Sequence, residues 1–401
     1  MINEGLLLKL FDAFSIQRWT DRVRPVPLVE MDKHANKTFI SYFLGKYEEN
    51  KSHRSINWEF IIYSNFFELL KNIALSDIKS SVYEKIKSDK SIMTELNYWV
   101  LDQYKSLLDE NLLKKFRSFL IKNIDDINYR ILQAAHKLST YREYQIIRPS
   151  NMHLEDTMRI EKELKKELSS FTDIAGFNEI YFEQDLSIVL STIENLRNQT
   201  RWAQSVRIPA TSVLGHCLFV ASIALLFSIE LKACPKRLYN NFFCGLFHDV
   251  PESLTRDIIS PVKNATPNLP GFISKIERDK MKDDFFPYLD KSVHDEINYF
   301  TIDEFKNKVI KNNKPVKLNK TDKLEKFNED SFNMLDGEII KVCDHISAFI
   351  EAMQSMKYGI KSNHLNLGYD ELFKIYTRKN TIVNGLDIFK IFDNLNKGRN
   401  W

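Results

Sequence analysis

Apolar residues recur at helical spacing in one segment after another, so the pattern predicts a mostly helical protein. Within residues 4–18, Leu7, Leu8, Leu10, Phe11 and Phe14 fall on one side of a short amphipathic helix. Pro25 and Pro27 then impose an extended segment. A further helix carries His34, Phe39 and Phe43, and a strongly apolar one runs from Trp58 to Ile73. Others cover about 92–108, 110–122 and 126–145. Arg148-Pro149-Ser150-Asn151 breaks the pattern and marks a candidate domain boundary. A charged helix, Thr157–Leu168, leads into the second half, which opens with a helix around Leu186–Gln199.

The two halves echo each other. Arg18-Trp19 precedes a proline-containing segment and His34, and Arg201-Trp202 does the same before His216. The Arg-Trp pairs lie 183 residues apart and the histidines 182. LSDIKSSV at 75–82 parallels LTRDIISPV at 254–262, with Asp77 against Asp257 and Val82 against Val262. AAHKLSTYRE at 134–143 parallels VCDHISAFIE at 342–351. These matches predict a tandem duplication, with 1–170 and 171–401 as its two domains; chance similarity between helices of like composition is the alternative. The first copy sets Glu68 and Leu69 opposite His248 and Asp249, Asn72 opposite Glu252, and Ala135 opposite Asp344. It is therefore expected to be degenerate, kept for structure, pairing or regulation.

Composition narrows the class. With 57 basic and 54 acidic residues the formal net charge is +3, so no global field draws the chain to nucleic acid. Apolar content of 43% excludes a disordered chain, and 11 glycines in 401 residues favour helix. The length allows two ordinary domains. Cys217, Cys234, Cys244 and Cys343 form no CxxC pair and are expected as free thiols, which suits a reducing cytoplasm. Glu4 stands where an export signal would be basic, and the apolar run Cys217–Ile229 is shorter than a membrane span. The expectation is a cytoplasmic protein that does not enter a membrane. Apolar helices of the first half, such as Trp58–Ile73, must be buried in their own core or across a homodimer.

Chemistry concentrates in Cys244–Lys263, CGLFHDVPESLTRDIISPVK. The adjacent His248-Asp249 pair follows an uncharged approach, and Glu252 comes one helical turn later. A second pair, His294-Asp295, has charged neighbours and looks like a solvated helix face. His216, His248, Asp249 and Asp344 each lie on or at the end of a strongly apolar segment, where a polar side chain needs a partner. A lone buried histidine is usually a satisfied core residue. Four such groups, two of them adjacent, point instead to one shared divalent cation. No GxxxxGK[ST] loop is present, which argues against a nucleoside-triphosphate-driven motor.

The pattern H … HD … D, with HDVPESLTRDIISPVK after the dyad and RWAQSVRIPATSVLGH at the first histidine, resembles the HD-domain metal-dependent phosphohydrolases. Within them it is most similar to the bacterial 5′-deoxynucleotidase branch, over roughly residues 185–355. The resemblance implies an all-α fold of two tandem HD-like domains, the second catalytic. It implies His216, His248, Asp249 and Asp344 as ligands to one divalent ion, of which Mn, Co, Mg and Zn are candidates. Glu252 would handle the attacking water, with Asp257 in the same catalytic set, while Arg201, Trp202 and Asp257 would contact the nucleotide's phosphate or sugar. The residues themselves leave alternatives: a capping or salt-bridging role for Glu252, a cation–π or packing pair for Arg201-Trp202, and a helix N-cap for Asp257.

The expected reaction is removal of the 5′-phosphate from a (deoxy)nucleoside monophosphate. The alternatives are a nucleoside triphosphate triphosphohydrolase, a phosphodiesterase, or a nucleotide-sensing or scaffold module without turnover. Lys263 reads as solvated. Eight lysines from Lys306 to Lys326 form a charged tract that reads as a solvated loop rather than a nucleic-acid patch, since no aromatic residues interleave it.

Overall fold

The computed structural model describes residues 2–121, 126–256, 258, 260–263, 265–319, 321–378 and 381–397. Helices carry nearly all of its regular structure, beside a small three-stranded sheet and a two-stranded ribbon, so the fold is all-α. The chain divides into two compact units, one from Asn3 to Phe177 and the other from Asn178 onward.

In the first unit α1 (Glu30–Lys51) packs on α2 (Trp58–Leu75) and α3 (Ile127–Ile147). Asn57 and Asp126 cap α2 and α3 by accepting from the amides of Phe60 and Tyr129 at 2.9 and 2.8 Å. The first helix stops at Phe11 and tightens into a 3₁₀ turn to Phe14, which buries Leu6 where the pattern pointed to Leu8. Arg148–Asn151 does end a helix, but the chain does not divide there. Beyond it Thr157–Leu168 folds back onto α3, with the Tyr144 hydroxyl donating to Thr157 O at 2.9 Å and Arg148 Nε to Glu161 at 2.9 Å. A proline interrupts hydrogen bonding along the backbone; it does not prevent packing across it.

The second unit is built around α4 (Val213–Glu230), whose N-cap Ser212 accepts from the Gly215 amide at 2.9 Å. Apolar on every face, α4 is a core helix. Its mean hydropathy of 2.0 and its 18 residues would suffice to cross a membrane, yet 89% of it is buried inside the protein. It begins four residues before the apolar run read from the sequence, because Val213 and Leu214 join the core. Against it pack α5 (Pro235–Phe247) and, further along the chain, α8 (Gly337–Lys357). Between these come α6 (Leu269–Lys280) and α7 (His294–Thr301), and α9 (Asn363–Thr377) follows α8. Gly245 lets α5 approach α4: a Cβ there would lie 2.8 Å from Ala221 Cα. Cys217, Cys244 and Cys343 are buried free thiols, and Cys234 is also free.

The lysine tract differs from the expected loop. Strands β1 (Asn307–Lys311) and β2 (Lys314–Lys317) form an antiparallel hairpin, and β3 (Leu335–Asp336) pairs on the other edge of β1. Asn312 and Asn313, at φ 51° and 57°, supply the two left-handed residues that a tight hairpin turn needs. β2 is exposed, but Lys308 in β1 is buried, its ammonium donating to Ile302 O at 2.6 Å and lying 4.8 Å from the Tyr299 ring centre. Lysine-rich composition concealed a strand whose first three residues, Asn307, Lys308 and Val309, are all buried.

Candidate functional site

The first turn of α4, the end of α5 and the second turn of α8 meet around four side chains. His216 Nε2 lies 3.1 Å from Asp344 Oδ1 and 3.5 Å from Asp249 Oδ2, and His248 Nε2 lies 3.2 Å from Asp249 Oδ2. One ligand atom each from His216, His248 and Asp249 falls within 4.8 Å of the others. Asp344 is outside that tight group but joins it through His216. The outer nitrogens are fixed: the His248 Nδ1 proton is donated to Gly245 O at 2.8 Å, and His216 Nδ1 lies 2.9 Å from the Ser347 hydroxyl. Both Nε2 atoms are buried and make no hydrogen bond among the described residues.

That arrangement fits a divalent cation. A ligating imidazole keeps its other nitrogen on a fixed partner, and a His₂ set with carboxylate oxygens suits a borderline or hard metal. The electrostatics agree. Burial would push both carboxyls up, but His248 holds Asp249, and His216 holds Asp344, well below the usual carboxylate range. Burial would lower His248, but Asp249 beside it pushes it up to about 9. Burial, with Arg201 close by, keeps His216 below its ordinary value. In the protein alone, a proton on His248 answers the carboxylates; a divalent cation held by both Nε2 atoms would supply that charge instead.

Arg201 and Trp202 are brought to the site's edge by a buried carboxylate the sequence reading did not assign. Glu351, fully buried on α8, accepts from Arg201 Nε at 3.2 Å, Trp202 Nε1 at 2.8 Å and the Thr211 hydroxyl at 3.0 Å. Trp202 adopts φ 55°, a left-handed turn that lets two successive side chains reach one acceptor. The Arg201 terminal nitrogens then lie 3.6 Å from Asp344 Oδ1 and 3.9 Å from Asp249 Oδ2. The Trp202 ring abuts Gly368 of α9, where a Cβ would come within 2.5 Å of it. The signal for Glu351 was present in the sequence, since both AAHKLSTYRE and VCDHISAFIE end on glutamate.

Glu252 opens a short helix, Glu252–Thr255. Its Oε1 accepts from the Lys263 ammonium at 2.6 Å, so the lysine expected in solvent is a partner of the carboxylate. Burial opposes the Lys263 charge, but Glu252 overrides it and raises the lysine above its ordinary value. Asp257 lies outside the described residues. His248, Asp249, Glu252 and Lys263 form one wall of a cleft of about 430 Å³ whose other wall comes from α6 and from the chain after α7. His294 is elsewhere, its Nε2 donating to Leu289 O at 3.1 Å.

The first unit repeats the frame without the ligand set. Arg18 Nε and Trp19 Nε1 both donate to Glu143 Oε2 at 3.0 Å, with Trp19 at φ 54°. Arg24 donates to Arg18 O as Arg207 does to Arg201 O. The β-bridges Gln17–Val29 and Thr200–Ser212 also correspond. Here, however, His34 Nε2 is 3.1 Å from Glu30 Oε1 and 3.0 Å from Asn72 Nδ2, and Glu68 holds the buried Lys37 ammonium and His136. Leu69 is a buried apolar residue, and the match of Glu143 to Glu351 sets His136, not the expected Ala135, opposite Asp344.

A helical core that directs two imidazoles and two carboxylates to one point is suited to metal-dependent hydrolysis. Residues 193–373, somewhat under half of the chain, match the family model described as HD domain, so the second unit contains a segment similar to HD domains. Searches among curated proteins and solved structures give no match.

Proposed function

We propose that the second unit hydrolyses phosphomonoesters, specifically the 5′-phosphate of (deoxy)nucleoside monophosphates, and that the first unit is a degenerate copy without chemistry. One observation carries the reading: two buried Nε2 atoms without hydrogen bonds face two ionised carboxylates. A divalent ion held by His216, His248, Asp249 and Asp344 would supply Lewis acidity toward water and a phosphoryl oxygen.

The remaining work falls to side chains around it. Glu252, one turn after His248 and bonded to the Lys263 ammonium, takes the proton of the attacking water. Arg201, oriented through Nε by Glu351, offers its two terminal nitrogens to phosphate oxygens. Trp202 anchors the turn that presents Arg201. The alcohol departs into the cleft beyond His248.

The test is a panel of nucleoside mono- and triphosphates and a cyclic diester, incubated with purified protein and Mn²⁺, Co²⁺, Mg²⁺ or Zn²⁺. Inorganic phosphate released from monophosphates supports the reading. Triphosphate released only from the triphosphates, or turnover only of the diester, replaces it with the corresponding activity. Binding without turnover would make the unit a sensor.

A further inference from the structure

We infer that Phe305, flanked by Glu277 and Asn298, is the seat for a planar, hydrogen-bonding leaving group, which makes it the residue that selects nucleobase-bearing monophosphates over sugar phosphates. This rests on the phosphohydrolase reading above and concerns the opposite wall of the same cleft. The Phe305 ring is half-buried in that wall, its centre 6.2 Å from the His248 ring. An aromatic face one ring-width from a phosphoryl site is where the base of a bound nucleotide can stack.

The ring is held rigidly enough to discriminate. Leaving α7, the chain turns through Asp303 at φ 51°, and the Lys306 amide closes the turn on Asp303 O at 3.0 Å. Behind it, Gly337 at the start of α8 allows backbone contact: a Cβ there would lie 2.2 Å from Lys306 N. The helix that carries Asp344 therefore also fixes the loop that carries Phe305. A site on a pre-organised backbone loses less entropy on binding.

Polar groups beside the ring are available to a base edge. Glu277 on α6 and Asn298 on α7 are half-buried, line the cleft, and their side chains make no hydrogen bond among the described residues. A base stacked on Phe305 and bonded by these two would hold the ester oxygen over the dyad. The cleft's 430 Å³ lies in the range of about 300–1,000 Å³ that small-molecule sites occupy.

The experiment compares kcat/KM for 2′-deoxyadenosine 5′-monophosphate with that for 2-deoxyribose 5-phosphate, in Mn²⁺, for the full chain and for Phe305→Ala, Phe305→Leu and Phe305→Tyr. A second readout is saturation-transfer NMR of 2′-deoxyadenosine with metal-free protein. The nucleotide-to-sugar ratio should fall about five- to a hundredfold in Phe305→Ala, the range for losing one base–aromatic stack. Phe305→Tyr should retain the ratio, and the nucleoside signal should be lost with the ring. If Phe305→Ala does not fold, Phe305→Leu against Phe305→Tyr makes the same comparison. An unchanged ratio in a folded variant overturns the seat while leaving the hydrolase reading intact. If wild type releases phosphate from no monoester but still shows the ring-dependent nucleoside signal, the hydrolase reading falls and the seat stands.

Discussion

Glu252→Gln separates chemistry from structure at this site. The amide keeps the volume of the side chain and its place one turn after His248, but it cannot take a proton from water. It also discharges one partner of the 2.6 Å pair with Lys263, in which Glu252 is 8% and Lys263 31% exposed. A partly buried charge-assisted bond of this kind contributes roughly 1–2 kcal/mol, since solvent reaches the lysine side. Loss of a general base costs about 10²–10⁴ in rate, roughly 3–5 kcal/mol of barrier. The expected variant is therefore slightly less stable, retains its metal, binds nucleotide with little change and releases phosphate at least about a hundredfold more slowly. Turnover, metal content by mass spectrometry and denaturant midpoint are measured on one preparation. Turnover near wild type with metal still bound would reduce Glu252 to a partner of Lys263 and refute its role as base.

Metal analysis of His248→Ala and Asp344→Ala should show the ion lost, whereas Glu68→Ala in the first unit should keep it; stoichiometric metal in a His248→Ala, Asp249→Ala double variant would end the ligand assignment. Glu351→Gln should lower stability by about 2–4 kcal/mol in denaturant titration, because Arg201 and Arg207, 3.2 and 3.9 Å from it, lose their buried counter-charge, and should weaken nucleotide binding by freeing Arg201 to turn. Burial, with Lys33 beside it, holds His136 down to about 3, against about 6.5 when unfolded. The unfolded chain thus binds the extra proton between those values, and His136 makes stability fall as pH drops from about 6.5 toward 3. Denaturation midpoints followed across that range should flatten by about one proton in His136→Gln; an unaltered slope would place the titration elsewhere.

What the sequence made legible was what one residue and its near neighbours decide. Polar His216, His248, Asp249 and Asp344 stood out because each interrupts an apolar helical run, a contrast visible without tertiary structure. Glu351 and Lys263 did not, because their meaning depends on partners 150 and 11 positions away and on which face of a helix is buried. The charge of the lysine tract points to solvent, whereas packing buries Asn307, Lys308 and Val309 of β1 and leaves β2 exposed throughout, a difference between strands that composition does not carry. Arg148-Pro149-Ser150-Asn151 marks a candidate boundary because it breaks a helix, but the two units divide between Phe177 and Asn178, seven residues beyond the expected 170/171 division.

The two units answer the same physical demand in different ways. Buried carboxylates cost several kcal/mol each unless a counter-charge is close. In the first unit the counter-charge is covalent: Lys33 and Lys37, 2% and 0% exposed, stand one and two turns into α1, and Lys37 pairs with Glu68, which lies 180 positions before His248. By the 182-residue offset, the second unit has Gly215 and Phe219 at those positions and brings no ammonium from that helix to its carboxylates. A site that lost its ligands after duplication would have to neutralise its remaining acids internally, and two lysines on one face of one helix do that. The Arg-Trp-glutamate clamp needs no metal, since Arg18 and Trp19 close on Glu143 much as Arg201 and Trp202 close on Glu351. Its presence in both units marks it as part of the folding frame. In the second unit that frame holds a guanidinium beside Asp344 and Asp249, which face two imidazole nitrogens, whereas in the first Arg18 pairs with Glu30 beside the single His34.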